Sequence, residues 1–233
     1  MISVLTITYK RPHLLEEAME SFLQQGIVGA EMVIVNDNPE VEYVYDHPSI
    51  RIFNLVDRFP SIAAKLRWGA EVCTNNYIYR LDDDDLLAPS ALHNAINTIM
   101  DAVIMTEILK TQPYDIYRSK DHYFFVNNKF ENVSSNINNG NIYTKKYLDR
   151  IVWPDKSGDE DAHITFGQGA LINENVPTTM IYRWGMNTLH ISGMGIQPNE
   201  VILAQADKVL EEPSGVIQLN PHFDNDYYGQ LPA

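Results

Sequence analysis

The stretch ISVLTITYKRPHLLEEAMESFLQQGIVGAEMVIVNDNP (residues 2–39) contains the first strand, helix and second strand of the predicted fold. Residues 2–8 form a short apolar run rich in β-branched side chains, which is typical of a strand buried on both faces. Pro12 then suits a first helical turn, apolar residues follow at helical spacing, and Gly26 is a stop signal. Residues 31–39 predict a second strand that ends in turn residues. This β-α-β order indicates a parallel sheet covered by helices.

The alternation of strand and helix patterns continues to about residue 100. Residues 50–56 and 76–81 are predicted to form strands, whereas residues 61–74 and the stretch after Pro89 are predicted to form helices. Beyond residue 100 the patterns predict strands at 102–109, 115–130 and 178–184, a loop at 133–141, and helices at 144–153, 159–171 and 200–212. The predicted fold class is therefore α/β, with a mostly parallel central sheet flanked by helices.

The composition indicates a folded, acidic protein with a single cysteine. The chain has 233 residues, of which 45% are apolar and 21% are charged, enough for a sizeable core. Its net charge of -14 opposes nonspecific binding to nucleic-acid backbones and anionic membranes, although a local basic groove could override that average. Cys73 allows no intrachain disulfide, and no apolar run is long enough to span a membrane. We therefore expect a cytoplasmic location.

Three polar clusters follow predicted strands. Thr6, Thr8 and Tyr9 lie at the end of the first strand, residues 36–38 at the end of the second, and Asp82–Asp85 after the strand at 76–81. In open parallel sheets, ligands bind outside the carboxyl ends of the strands. We therefore expect these clusters to line one shared crevice.

The run Asp82–Asp85 places four like charges in succession, which costs energy unless something offsets the repulsion. If the strand continues through the run, Asp82 and Asp84 face one side and Asp83 and Asp85 the other. One such pair could bind a hard divalent cation such as Mg²⁺ or Mn²⁺, which prefers oxygen ligands. A solvated acidic turn accounts for the run equally well. The spacing of an EF-hand calcium loop is absent.

Four stretches resemble the successive signatures of family 2 glycosyltransferases with the GT-A fold, and they occur in that family's order. They are SVLTITYKRPHLLEEAMESFLQQ, VIVNDNP, AAKLRWGAEVCTNNYIYRLDDDDLLAP and GDEDAHITF. The resemblance implies one Rossmann-like nucleotide-binding domain over residues 1–197, with a nucleotide-sugar half at 1–100 and a smaller acceptor-side region at 101–197. We expect residues 198–233 to form a helical or irregular tail packed on this domain.

The resemblance also implies roles for individual residues. Tyr9 is a candidate to stack on the base, Asp37 to bond the base or ribose, and Arg11 to approach the diphosphate. The full set expected to contact the nucleotide-sugar is Thr6, Thr8, Tyr9, Arg11, Asp37, Lys65, Asp82 and Asp83. The expected metal ligands are Asp82, Asp84 and His190. Because the position between Asp82 and Asp84 is itself an aspartate, the register could slip so that Asp83 becomes a ligand.

The stretch at 157–165 matches the family's Glu-Asp element, which implies that Asp161 is the catalytic base and that Glu160 orients the acceptor. Without the resemblance, carboxylates that open a helix are ordinary compensation of the helix dipole. Arg183 is a further candidate for a phosphate contact. Trp184 could pack under an acceptor sugar or fill the core.

The function that the resemblance implies is inverting transfer of a sugar from a nucleotide diphosphate sugar, with a UDP-sugar as the expected donor. The expected cofactor is Mn²⁺ or Mg²⁺, and the expected acceptor is a hydroxyl of a glycan or glycan precursor. Two alternatives stay open. One is a phage-type enzyme that glycosylates a hydroxylated DNA base, in which case nucleic acid is the acceptor. The other is a non-catalytic module of the same fold that binds a nucleotide-sugar or a glycan.

Overall fold

The structure is a computed structural model that describes residues 1–126, 129–134, 139–158, 160–184, 198–209 and 214–232. The helices are α1 (Pro12–Leu23), α2 (Ile62–Val72), α3 (Ala91–Leu109), α4 (Lys145–Leu148), α5 (Glu160–Phe166) and α6 (Asn199–Val209). The strands are β1 (Ile2–Thr8), β2 (Glu31–Asn36), β3 (Val41–Val44), β4 (Ile50–Asn54), β5 (Tyr77–Arg80), β6 (Leu86–Leu87), β7 (Ile116–Tyr117), β8 (Asp121–Val126), β9 (Lys129–Ser134), β10 (Ile142–Thr144), β11 (Ile172–Asn173), β12 (Met180–Trp184) and β13 (Gly215–Gln218). None of the described helices is long and apolar enough to cross a membrane.

The central sheet has seven strands in the order β11-β7-β10-β5-β1-β2-β4. Strands β5, β1, β2 and β4 are parallel to one another, and Thr8 at the end of β1 lies beside Asn36 at the end of β2. Strand β10 is antiparallel to both of its neighbours, so β7 and β11 run in the same direction as β5. The predicted α/β class with a mostly parallel sheet is confirmed. The carboxyl ends of β1, β2, β5 and β7 therefore share one edge of the sheet, which we call the carboxyl edge.

Apolar side chains of the inner strands pack on both faces of this sheet. In β2, Met32 and Ile34 belong to the core beneath α1 and α3, whereas Val33 and Val35 belong to the core beneath α2, α4 and α5. This explains why the strand appears in the sequence as an unbroken apolar run rather than an alternating one. Gly69 lets α2 approach β1 closely, because a Cβ at this position would lie 2.5 Å from Leu5 Cδ1.

The second half of the chain adds two smaller sheets. One has the order β6-β12-β8-β9, and the other pairs β13 with β3 in parallel. The strands predicted within 115–130 and at 178–184 are present as β7, β8, the start of β9, and β12. The short strands β3, β6, β10, β11 and β13 were not predicted, because segments of two to four residues carry too little periodicity to detect. The helices predicted at 144–153 and 159–171 are present only as the shorter α4 and α5.

The strand predicted at 102–109 is wrong, because these residues continue α3 to Leu109. No glycine or proline interrupts the chain between Ala91 and Leu109, so the helix has no reason to stop earlier. It ends at Lys110, whose φ of 55° is left-handed, a common helix-terminating conformation. The apolar run that suggested a strand instead places Val103, Ile104 and Ile108 on an exposed face of the helix.

The C-terminal residues contact the domain through both backbone and side chains. Strand β13 adds to β3, and the hydroxyl of Tyr227 donates to Glu17 in α1 at 3.3 Å. Glu17 also forms an ion pair with the fully buried Arg183 of β12. These three side chains therefore join the first helix, the second sheet and the C-terminal segment.

Candidate functional site

Lys65 and Asp37 form a buried ion pair where β1 and β2 end. The ammonium of Lys65 donates to Asp37 Oδ1 at 2.5 Å and to the carbonyl of Thr8 at 2.6 Å. Asp37 Oδ2 accepts from the backbone N–H of Phe59 at 3.0 Å. Burial lowers the pKa of Lys65, while the Asp37 carboxylate opposes that shift. The pair ties α2 to the carboxyl edge and fixes the orientation of Asp37.

A partly open cavity of about 90 Å³ lies beside this ion pair. Its polar lining comes from the carboxyl edge, and its apolar lining includes Ile202, Leu203 and Ala206 of α6. The sequence-predicted residues that line it are Thr8, Tyr9, Arg11, Asp37 and Lys65. We call this space the edge cavity.

Arg58 covers the ring of Tyr9 within the edge cavity. Its guanidinium carbon lies 3.9 Å from the centre of the ring, close enough for a cation–π interaction. Lys10, which follows Tyr9, has a φ of 56°, a left-handed conformation that costs energy in a residue with a side chain. The strained turn after β1 thus presents the ring of Tyr9 and the side chain of Arg11 to the cavity, and Arg58, which follows β4, adds a second cation.

The four aspartates form a turn rather than an extension of β5. The strand ends at Arg80, and the backbone N–H of Asp85 donates to the carbonyl of Asp82 at 3.1 Å. The condition for an alternation of Asp82 and Asp84 with Asp83 and Asp85, a strand that continues through the run, is therefore not met. We call Asp82–Asp85 the aspartate turn. Arg11 contacts two of its members, pairing with Asp83 through two nitrogens and with Asp84 at 2.9 Å.

Three carboxylates of the turn converge. One oxygen from each of Asp82, Asp84 and Asp85 lies within 4.8 Å of the others, and this is the group among the described residues that could hold a metal ion. Burial, together with repulsion from Asp84 and other carboxylates, raises the pKa of Asp82 to about 6 against the opposing effect of Arg80. A divalent cation would remove that repulsion, and carboxylate oxygens are the ligands that Mg²⁺ and Mn²⁺ prefer. The residues present therefore fit such an ion.

Asp85 is oriented from behind by neutral donors. Its carboxylate accepts from the side-chain amide of Asn139 and, at 3.0 Å, from the backbone N–H of Arg183. Arg183 Nε also donates to the carbonyl of Asp84 at 2.5 Å. Arg183 was a candidate for a phosphate contact, and the structure corrects this, because its guanidinium is fully buried behind the turn and engaged there. Arg183 therefore supports the aspartate turn from its buried side.

Arg80 links the aspartate turn to the start of α5. Its guanidinium pairs with Asp82 at 3.3 Å, with Glu160 at 3.1 Å and with Asp161. The Arg80 side chain is buried, so this network is poorly screened by water. Sequence reasoning did not assign a role to Arg80. The available signal was a cation placed two residues before four consecutive carboxylates.

The two carboxylates at the start of α5 differ in ionisation. Burial and the neighbouring Asp161 raise the pKa of Glu160 to about 8. The pKa of Asp161 is lowered, because Arg80 and the hydrogen bond from Glu160 outweigh the effect of burial. Neighbouring groups whose environments move their pKa values apart are typical of acid–base sites. Near neutral pH, Asp161 is therefore ionised and Glu160 is largely protonated.

This difference predicts a pH dependence of stability. Because the pKa of Glu160 is raised from 4.5 to about 8 on folding, the folded state binds its proton more tightly than the unfolded state. The free energy of unfolding should therefore fall as pH rises from about 4.5 to 8. Glu160→Gln keeps a neutral side chain, so the melting temperature of this variant should lose roughly 5–10 °C less than the wild type between pH 6 and 9. Equal losses, measured by thermal denaturation, would show that Glu160 does not titrate in this range.

Thr6 is a predicted contact of the nucleotide-sugar that the structure does not bring to the edge cavity. Thr6 lies within β1, fully buried in the sheet, and does not line the edge cavity. His190 lies outside the described residues. Trp184 is 39% exposed and stacks on Tyr182 with ring centres 6.2 Å apart. Besides Arg80, sequence reasoning missed Arg58 and Asn139, which lie in irregular segments where no motif marks them.

The fold and the site together define an α/β protein with a convergent carboxylate cluster at the carboxyl edge of its sheet. The model of the family described as "Glycosyl transferase family 2" matches residues 3–164. This match covers more than half of the chain. It includes every part of the site except α6 and Arg183 of β12. The chain belongs to glycosyl transferase family 2.

A curated relative and several solved structures are similar to this chain. The amylovoran biosynthesis glycosyltransferase AmsE of Erwinia amylovora is 31% identical over 106 residues, a match that covers 42% of this chain and 40% of the relative. The chain therefore matches less than half of that relative's length. The crystal structure of S. aureus TarS 1-349 in complex with UDP-GlcNAc has a TM-score of 0.62 at 15% identity, covering 90% of this chain and 70% of that one. For TarS 1-349 itself, the TM-score is 0.55 at 16% identity, with coverages of 78% and 60%. These likenesses confirm the GT-A fold.

Proposed function

We propose that this protein transfers a sugar from a UDP-sugar to a hydroxyl of a glycan or glycan precursor, with inversion at the anomeric carbon. The observation that carries the proposal is the continuous path along the carboxyl edge. It runs from the edge cavity through Arg11 to the aspartate turn, and from the turn through Arg80 to Asp161. A donor lying along this path would have its nucleotide in the cavity and its reacting carbon near Asp161.

The choice of donor and acceptor rests on the edge cavity and on the comparisons. The cavity offers an aromatic ring at Tyr9 and a fixed carboxylate at Asp37, which suit stacking and hydrogen bonding to a nucleoside. Structures of the similarly folded TarS are described with UDP and with UDP-GlcNAc, which supports a UDP-sugar as the donor. The relative named for amylovoran biosynthesis supports a glycan acceptor.

The proposed reaction is a single displacement. The acceptor oxygen forms a bond to the anomeric carbon from the side opposite the diphosphate, while the bond from that carbon to the diphosphate oxygen breaks. The acceptor proton passes to an oxygen of Asp161, which is ionised because its pKa is lowered. Asp161 remains partly exposed, with 26% of its side chain accessible, so an acceptor hydroxyl can reach it.

The reaction also requires stabilisation of the negative charge that develops on the departing diphosphate. Arg11 lies between the edge cavity and the aspartate turn, where its guanidinium can bind a phosphate group. Asp82, Asp84 and Asp85 would hold the divalent cation, which when bound supplies Lewis-acid stabilisation of the diphosphate. Arg183 and Asn139 keep the turn in place during the reaction, since they bond it from the buried side.

Donor binding is the direct test of the proposal. With Mn²⁺ present, a UDP-sugar at about 100 times its Kd should stabilise the fold by about 2.7 kcal/mol, which corresponds to a rise of about 5–10 °C in melting temperature. A panel of UDP-, GDP- and dTDP-sugars should be compared by thermal shift and then by release of the nucleotide diphosphate. If no donor in the panel binds, the proposal is wrong. If a donor binds but neither transfer nor hydrolysis occurs with any glycan acceptor, the protein is a non-catalytic binding module.

A further inference from the structure

Arg118 follows the carboxyl end of β7, two strands away from β5 in the central sheet. Its side chain is fully buried, and none of its three guanidinium nitrogens has a hydrogen-bond partner in the described part of the chain. The other fully buried arginine, Arg183, contrasts with it, because its nitrogens bond Glu17, Tyr227 and two backbone carbonyls. A guanidinium stays charged when buried, so leaving it without a partner costs free energy.

Two further polar groups without partners lie at this place. His122 of β8 is buried, and neither of its ring nitrogens has a described partner. Burial and the nearby Arg118 charge lower its pKa to about 4, so the ring is neutral near pH 7 and can donate one hydrogen bond. The side-chain carbonyl oxygen of Asn141, which precedes β10, is likewise unpartnered in the described structure.

The acidic residues around Arg118 do not bond its guanidinium. Asp115 pairs with Arg150 at 2.7 Å, and Glu174 pairs with Lys120 at 2.8 Å. Asp121, three residues along the chain, is exposed to solvent. None of these carboxylates therefore neutralises Arg118. Two adjacent groups that can donate hydrogen bonds, one of them permanently charged, form a site whose missing component is an anion.

The position of Arg118 relates it to the proposed catalytic base. Asn141 pairs through its backbone with Arg80, and through its side chain with Thr165 of α5 at 3.1 Å. Arg118 lies against Phe166, the last residue of α5, with its guanidinium carbon 5.2 Å from the ring centre. Since Asp161 lies near the start of α5, the helical rise places Phe166 about 7–8 Å farther along the axis. Arg80 therefore lies at the start of α5 beside the proposed base, and Arg118 lies at the other end of this helix.

We propose that Arg118 and His122 form a subsite for an anionic group, a carboxylate or phosphate, carried by the acceptor. The inference rests on the proposed glycosyltransferase function and names the class of its acceptor. The anionic group would lie about the length of one sugar unit from the hydroxyl that reacts at Asp161. The chain's net charge of -14 repels anions in general, so such an acceptor requires a local cation of this kind.

Phe166 marks the entry to this subsite. Its side chain is 50% exposed while the guanidinium beneath it is buried, so the ring lies between Arg118 and solvent. An aromatic face is a weaker partner for a guanidinium than a carboxylate or phosphate that accepts two hydrogen bonds. An entering anion would therefore displace the ring and take its place against Arg118.

The test compares acceptors that differ only in charge. The full chain is saturated with Mn²⁺ and the tightest-binding UDP-sugar, and acceptor affinity is measured by titration calorimetry, which needs no turnover. The pairs are nitrophenyl glucuronide with nitrophenyl glucoside, and a hexose phosphate with the same hexose. We expect the anionic member of at least one pair to bind at least tenfold more tightly, a margin typical of a charge-assisted bidentate contact. The two pairs distinguish a carboxylate subsite from a phosphate subsite.

Variants then test whether Arg118 causes the preference for the anionic acceptor. Arg118→Met should remove the preference while leaving UDP-sugar affinity unchanged, and Arg118→Lys should retain part of it. Arg67→Gln removes one positive charge from an exposed position on α2, away from the subsite, and should leave the preference intact. The comparison of affinities in the wild type stands even if Arg118→Met does not fold.

Failure of the two proposals can be told apart. If the wild type binds no UDP-sugar, the proposed function fails and this inference fails with it. If donor binding is normal but neutral and anionic acceptors bind equally, or neither binds, the subsite alone is refuted. A preference that survives in Arg118→Met also refutes it, because the anion is then bound elsewhere.

Discussion

Asp161→Asn is expected to lower kcat for sugar transfer by about 10²–10⁴-fold, the usual contribution of a general base, while UDP-sugar affinity stays unchanged. The amide preserves the size of the side chain but cannot accept the acceptor's proton. Arg80 would lose one of its three carboxylate partners and keep Asp82 and Glu160. Transfer should be measured by steady-state kinetics with saturating Mn²⁺, and donor affinity by titration calorimetry.

Asp155→Asn is the matched control, because Asp155 is an exposed carboxylate a few residues upstream of α5. The same change of charge there should leave kcat within about twofold, as is usual for surface substitutions. Full activity in Asp161→Asn would contradict the assignment of the base. A loss of donor binding in that variant would instead indicate that Asp161 serves mainly to hold Arg80 and the aspartate turn.

Asp84→Asn is expected to weaken Mn²⁺ binding by more than tenfold and to reduce transfer by at least about 100-fold, because it removes one carboxylate from the convergent cluster. Asp83→Asn should leave Mn²⁺ affinity nearly unchanged, because Asp83 pairs with Arg11 and is not part of that cluster. Calorimetric titration with Mn²⁺ distinguishes the two. Removing metal with a chelator should abolish transfer in the wild type, and adding Mn²⁺ or Mg²⁺ should restore it.

Asp101→Asn, an exposed change on α3, controls for the loss of one negative charge from an acidic chain. The comparison of Asp83→Asn with Asp84→Asn tests which aspartates of the turn bind the metal ion. If Asp83→Asn rather than Asp84→Asn removes Mn²⁺ binding, the turn binds metal in a register different from the one the structure indicates. If neither does so, the turn is a structural element held by Arg11 and Arg183.

The parallel strands could be predicted, because strands buried on both faces leave an unbroken apolar run. The polar residues at the carboxyl ends of these strands could be predicted as well, because the apolar run shows where each strand ends. Thr8, Asp37 and Asp82 each follow an apolar run directly, and the sheet brings them to one edge. The family resemblance added Lys65, which no strand-end argument would have selected, and which lines the edge cavity beside Asp37.

The remaining features depend on contacts that sequence patterns do not encode. The aspartate turn departs from strand geometry because Arg183, about 100 positions away, bonds its backbone. Arg80 lies within a strand pattern and gains its place from Glu160 and Asp161, which are 80 residues distant or more. The unpartnered state of Arg118 is invisible in sequence, since only the fold shows that nearby carboxylates bond other cations.

The contact of Tyr227 with Glu17 and Arg183 bears on how the protein is made. Arg183 bonds the carbonyl of Asp84, so the aspartate turn is fixed only when α1, β12 and the segment around residue 227 are all present. At translation rates of about 5–20 residues per second, the ribosome needs on the order of ten seconds to proceed from the turn to residue 227. During that interval the nascent chain carries four adjacent carboxylates without their full support. Pulse-labelled intermediates of this age should therefore be sensitive to protease at residues 82–85, and metal-binding competence should arise only after residue 227 has been synthesised.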